Sequence, residues 1–205
     1  MAVITSYTTL QTAVTDYLAR SDLTSFVPNF IQNWEERFYR EAANWGSWME
    51  AALSVAVSSG VAALPADYLG LKVAYISGQQ NAPLKRISLD QLYQRYSRAG
   101  STGTPRYIAR NAANFEFGPI PTNGLSLVGT YYAKPTVLRD DTDGVNWLTT
   151  NAPDLCLYGS LLEAEPFIKN DKRIVVWQSF YDSALMAYRS RLKEEDYLAP
   201  HTVVA

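Results

Sequence analysis

Histidine and cysteine supply much of the nucleophilic and metal chemistry in proteins, and this chain of 205 residues has one of each. Cys156 stands between Leu155 and Leu157 at the expected start of a helix. A thiolate nucleophile is one reading of that position. A small buried apolar residue is the reading its neighbours favour. One cysteine excludes an intrachain disulfide framework and any multi-cysteine zinc site. His201 is fifth from the end, where a triad base would lack a rigid frame. No Gly-x-Ser-x-Gly nucleophile turn occurs anywhere.

Carboxylates offer little more. Glu163 and Glu165 are two apart on an expected helix, so they do not share a face and make a poor acid/base pair. The run Arg139-Asp140-Asp141-Thr142-Asp143-Gly144 has the texture of a calcium loop. Aligned on Gly144, however, it puts Arg139 at the first ligand position and Thr150 at the twelfth, where a bidentate Glu is needed. A solvated turn explains it better. Gly100-Ser101-Thr102-Gly103-Thr104 lacks the Lys-Ser/Thr of a phosphate loop. No catalytic residue, cofactor or metal ligand is therefore assigned, and the chain reads as a non-enzyme. Its tyrosines remain: Tyr93 with Tyr96, Tyr131 with Tyr132, Tyr181 with Tyr188. Packing accounts for most of them. Those near Tyr93 suit a protein interface, where Tyr is enriched.

Composition narrows the class. With 47% hydrophobic and 19% charged residues, the chain can bury a core and is not disordered. A net charge of −2 argues against gripping nucleic acid by bulk positive charge. The start lacks a basic and apolar secretory leader. The most apolar stretch, 49–64, is interrupted by Glu50, Ser54, Ser58, Ser59 and Gly60. It falls short of the ~18 apolar residues of a spanning helix, so a soluble protein with no membrane partner is expected.

The elements that must carry these residues are helical at both ends and strand-like between. The spacing predicts a first helix over 8–20, opened by a Thr8/Gln11 capping box and striped by Leu10, Val14, Tyr17 and Leu18. Val27, Ile31, Trp34, Phe38, Ala42 and Trp45 make a second stripe behind Pro28, with Glu36–Arg40 and Arg37–Glu41 as i,i+4 pairs on its solvated face. Leu53, Val55 and Val57, the turn Ser58-Ser59-Gly60, then Val61 to Leu64 read as a hairpin. A strand over 72–77 looks buried on both faces, with 83–87 pairing back onto it. A short helix opens at a Ser88/Gln91 capping box. Strands at 106–109, 114–118 and 125–133 suit an antiparallel meander or sandwich. Antiparallel rather than parallel pairing is expected, because only the segment at Ser88 is long enough to cross over. Helix returns at Pro153, with Leu155, Tyr158, Leu161, Leu162 and Phe167 as its stripe and Pro166 near its end. Asn170 caps the last helix, striped by Ile174, Trp177, Tyr181, Leu185, Tyr188 and Leu192.

Four apolar stripes must be covered, each large side chain contributing about 1.5–3 kcal/mol when buried. The expected fold is α+β: a four-helix bundle from the N- and C-terminal helix pairs (1–48 and 146–196) with a β-rich antiparallel insertion domain (49–145). That insertion carries a short helix near 88–97, and residues 197–205 form an extended tail.

An ordered set of segments resembles the head-to-tail adaptor (connector) proteins of tailed phages, of the podovirus tail-tube type. It comprises 9–23, Val27-Pro28-Asn29-Phe30-Ile31, 34–41, Ala63-Leu64-Pro65-Ala66-Asp67-Tyr68-Leu69, Pro105-Arg106-Tyr107, Asn146-Trp147-Leu148, 152–155 and 158–164. The set spans nearly the whole chain. One stretch departs: Ala112-Ala113-Asn114-Phe115-Glu116-Phe117 replaces the glycine and basic residues expected before Gly118-Pro119.

The resemblance implies a helical bundle with a β-domain, assembled as a homo-oligomeric ring, commonly of twelve copies, below the portal. Its implied partners are the portal protein, a tail or nozzle protein, other copies of itself, and double-stranded DNA that passes through without specific binding. The implied location is the capsid–tail junction of the virion, and the host cytoplasm during assembly. Within that frame, Tyr197, Leu198, Pro200, His201, Val203 and Val204 are candidates for portal docking. Tyr93, Tyr96, Arg106 and Tyr107 are candidates for a subunit or tail interface. Another virion component of the tail or baseplate remains an alternative, as does a carbohydrate-binding module using the tyrosine face.

Overall fold

The computed structural model describes residues 3–96, 101–121, 124–139, 144–168 and 171–198. Chain contacts divide into two compact units, one formed by 1–48 with 135–205 and the other by 49–134.

The first unit is helical. Helix α1 (Tyr7–Leu18) is capped two residues earlier than expected: Ser6 and Thr9, rather than Thr8 and Gln11, form the capping box. It stops when Ala19 turns left-handed (φ 53°), and Arg173 from the far end of the chain donates to the carbonyls of Tyr17 and Leu18, at 2.8 and 3.2 Å. Helix α2 (Val27–Arg40) buries Val27, Phe30, Ile31, Trp34, Phe38 and Tyr39. It ends five residues short of Trp45. Beyond it the chain turns, and the Asn44 amide and Trp45 indole donate to the Phe38 and Tyr39 carbonyls at 2.9 and 3.0 Å. The expected Glu36–Arg40 and Arg37–Glu41 pairs are not made. Arg37 reaches Glu163 at 3.1 Å, and Glu41 pairs with Arg189, because partners on other helices lie closer to these side chains.

A short helix α4 (Trp147–Asn151) precedes Pro153 and was not expected. Asn146 caps it, accepting from the Thr149 backbone at 3.0 Å. Helix α5 (Pro153–Glu163) buries Leu155, Cys156, Leu157, Gly159, Ser160, Leu161 and Leu162. These residues occupy most of its circumference, as they must in a helix packed on α1, α2, α4 and the last helix of the chain. Gly159 allows the closest approach, since a Cβ there would overlap the Trp34 indole. Pro166 falls inside a separate turn, α6 (Glu165–Ile168), where Phe167 is exposed and lies 5.2 Å from the rings of Phe26 and Phe30. Helix α7 (Arg173–Leu198) buries Trp177, Tyr181, Tyr188 and Leu192. The expected Asn170 cap lies outside the described residues; Asp171 accepts from the Arg173 backbone at 2.9 Å. Tyr197 and Leu198, expected in an extended tail, continue α7, whereas 199–205 lie outside the described residues.

The second unit holds two sheets, of order β1–β7–β3 and β2–β6–β5–β4. The strands are β1 (Glu50–Ala56), β2 (Val61–Ala63), β3 (Tyr68–Ile76), β4 (Lys85–Arg86), β5 (Tyr107–Asn111), β6 (Asn114–Gly118) and β7 (Ser126–Ala133). The expected β1–β2 hairpin is absent. The turn at Ser58–Gly60, held by a Ser58–Val61 bridge, hands the chain from one sheet to the other, and β1 pairs with β7 while β2 pairs with β6. Strand β3 is buried on one face only, through Leu71, Ala74 and Ile76. β4 does not pair back as a strand onto β3 but lies parallel to β5, using the crossover that the Ser88 segment supplies. That segment is α3 (Leu89–Arg95), whose Ser88/Gln91 capping box is as the spacing predicts. Apolar residues of both sheets share one core, including Leu53, Ile76, Ile108, Phe115, Phe117 and Leu127.

The stretch 135–145, expected with the β-rich part, groups with the helices. Tyr7 donates its backbone N–H to Gly144 at 3.1 Å, and the Leu138 N–H reaches Glu35 at 3.2 Å. The acidic run 140–143 lies outside the described residues.

Candidate functional site

Each unit buries one notable carboxylate. Glu35, wholly buried on α2, accepts through Oε1 from the Tyr39 hydroxyl at 3.0 Å and the Asn146 amide at 3.2 Å. Its Oε2 accepts from Leu138 N. Burial and this carboxylate together hold the Tyr39 phenol far above its ordinary range. Cys156, fully buried nearby, is likewise raised well above a free thiol, first by burial and then by Glu35. A thiol so disfavoured as thiolate is no nucleophile, so the packing reading of Cys156 stands. Glu35 is a staple: it joins α2 to the chain that returns more than a hundred residues later. Its place four residues from both Ile31 and Tyr39, at the margin of an apolar stripe, was the only sequence signal of that role.

Glu116, on β6, is 4% exposed and accepts from the Asn111 amide at 2.7 Å and the Tyr93 hydroxyl at 2.9 Å. Tyr93 stays 39% exposed, so its hydroxyl is anchored while its ring faces water. Leu92 and Tyr96, on the same side of α3, close on Gly118, where a Cβ would meet them at 2.6 and 2.5 Å. This is the stretch that departs from the adaptor pattern, and Glu116 is what fastens α3 to it.

Three of the four expected interface residues gather beside it. Tyr96 and Tyr107 rings lie 6.0 Å apart, and the Arg95 guanidinium sits 5.3 Å above the Tyr107 ring. Lys85 is in register with Tyr107 across the β4–β5 pair, and its N–H donates to the Arg106 carbonyl at 2.9 Å. Arg106 is exposed and immediately precedes β5. Sequence reasoning missed Lys85, which the parallel β4–β5 pairing sets in register with Tyr107, and Arg95, which α3 lays over its ring. Tyr93 belongs to the adjoining Glu116 anchor.

The expected docking residues Tyr197 and Leu198 lie at the end of α7, and Pro200, His201, Val203 and Val204 lie outside the described residues. In the helical unit, Ile4, Ala13, Tyr17, Pro153, Leu157 and Tyr158 line an apolar pocket of about 310 Å3. Arg37 pairs with Glu163 at 3.1 Å, and Glu165 begins the separate turn α6. Among the described residues no cluster of His, Cys, Asp or Glu could hold a metal ion, and no helix is long and apolar enough to cross a membrane.

What these features define is an α+β protein whose buried carboxylates fasten its own chain and whose β unit carries the half-buried Tyr96 and Tyr107 with the exposed cations Lys85, Arg95 and Arg106 near them in the fold. The chain belongs to the SU10 adaptor protein family, whose model matches residues 5–204. It is thereby a bacteriophage adaptor, a structural protein of the virion. No curated protein matches it.

Proposed function

We propose that this chain is the head-to-tail adaptor of a tailed bacteriophage. Copies form a ring, commonly of twelve, beneath the portal, join the capsid to the tail or nozzle protein, and line the channel through which DNA leaves. The observation that carries this reading is the extent of the family match, which takes in both units rather than one. In this reading α1, α2, α5 and α7 act as a four-helix bundle that forms the ring wall, and the β unit meets a neighbour or the tail. The segment 197–205 docks into the portal. The subunit does no catalysis, and the DNA slides past without specific binding.

The test is a cryo-EM reconstruction of the virion neck. It should place this chain as a closed ring between portal and tail. Density at the baseplate, or no rotational symmetry about the tail axis, would overturn the reading. The portal contact is tested separately, since removing 199–205 should weaken portal binding and leave the helical content unchanged.

A further inference from the structure

The near-neutral total hides a segregation. Residues 49–134 carry eight Lys/Arg against four Asp/Glu, and the remaining residues carry ten against sixteen. The β unit is thus +4 and the helical unit −6.

The basic charge is also concentrated. The Arg95 guanidinium lies over the Tyr107 ring, Lys85 is the register partner of Tyr107 across the β4–β5 pair, and Arg106 immediately precedes β5. The acids of the unit do not offset them. Glu50 pairs with Lys72 at 2.6 Å, Asp67 accepts from Tyr131, and Glu116 is buried under Tyr93. Asp90 sits at the opposite end of α3 from Arg95. Cations often blunt an exposed sheet edge, but β4 is two residues long and Arg95 is on a helix, so edge protection does not account for the group. On the helical unit, Asp16, Glu165, Asp182 and Glu194 are exposed acids that form no ion pair among the described residues.

We propose that the Lys85–Arg95–Arg106 edge of one copy docks on the acidic helical unit of the next. This rests on the ring reading and specifies its contact. A two-fold interface would satisfy these charges only if both patches of each copy lay within one contact surface. A head-to-tail interface sets opposite charges together at every joint, and such an interface closes into a ring when its rotation permits. Tyr107 and Tyr96 supply the apolar centre of the contact, with the three cations around them.

Charge reversal in both directions tests the idea, read by sedimentation velocity on the purified full chain. Wild type should self-associate at low salt, with the association weakened roughly tenfold or more on going to high salt. The triple variant Lys85→Glu, Arg95→Glu, Arg106→Glu should stay monomeric. So should the quadruple variant Asp16→Lys, Glu165→Lys, Asp182→Lys, Glu194→Lys. An equimolar mixture should assemble, because each reversed edge then meets a reversed helical unit at alternate joints. The Gln variants of the three cations, with circular dichroism alongside, guard against misfolding and should give an intermediate loss. A wild type that never associates overturns the proposal, as does association that neither set of reversals alters. The ring itself is decided independently by the symmetry of the virion neck. The same samples are titrated with a 30-bp DNA duplex. If the triple variant loses duplex binding but associates like wild type, the edge is a phosphate-binding surface and the proposal fails.

Discussion

Glu35 and Glu116 are the same device set to different purposes. Each is a buried carboxylate that accepts from a tyrosine hydroxyl and an asparagine amide. Around Glu35 the partners are a buried phenol, a backbone N–H and the cap of another helix, all facing inward. Around Glu116 one partner is Tyr93, whose ring is left in water. The first closes a chain on itself; the second holds up a surface. Burial of a carboxylate therefore says little about function until the far sides of its donors are known.

That contrast can be broken by mutation. Glu35→Ala leaves the Tyr39 hydroxyl, Leu138 N–H and Asn146 amide without their acceptor. At about 1–3 kcal/mol for each orphaned buried group, with some relaxation, the loss should be roughly 3–4 kcal/mol in urea unfolding. A loss below about 1 kcal/mol would mean that water replaces the carboxylate and that Glu35 is no staple. Glu116→Ala should cost less, about 1–2 kcal/mol, because Tyr93 can turn to solvent. Tyr93→Phe should cost under about 1 kcal/mol and leave Glu116 held by Asn111. If it costs as much as the Glu35 change, the two anchors are equivalent.

Alkali sharpens the comparison from the tyrosine side. Burial pushes the Tyr188 phenol up to about 12, and Tyr39 is raised further. Tyr188 donates to the Asn44 carbonyl at 2.6 Å and accepts from the Trp48 indole at 3.0 Å. In the unfolded chain these phenols ionise near their ordinary value of about 10. Between roughly pH 10 and 12 the folded state then holds more protons than the unfolded state, so stability falls as pH rises. Below that window the contribution is complete. Tyr188→Phe should be less stable at pH 7 yet show a shallower alkaline decline. An unchanged slope would remove Tyr188 from the account.

The helices were readable because burial on one face writes a period of 3.6 into the chain. Trp177, Tyr181, Tyr188 and Leu192 show this on α7. The first cap was misplaced, since both Ser6/Thr9 and Thr8/Gln11 have the required spacing and only the position of the first buried residue, Tyr7, decides between them. Helix α4 was missed because it is five residues long and has almost no period to show. Strand existence was legible, but pairing was not. Val55 and Val61 look like the arms of a hairpin, and nothing local says that their partners are Leu127 and Glu116. The candidate edge was half visible for the same reason. Arg106 and Tyr107 stood out as neighbours in sequence, while Lys85 reaches them only through a non-local strand pair. The charge segregation needed a domain boundary before it could be counted at all.

Gly159 has a historical consequence. The indole of Trp34 occupies the volume that any side chain at 159 would claim, so neither position can be altered freely while the other keeps its present occupant. A lineage that enlarges 159 must first have trimmed 34, and reverting the smaller change afterwards would be blocked by the larger. The two sites should drift as a ratcheted pair, and in relatives of this adaptor a bulkier 159 should be found only in company with a lesser ring at 34.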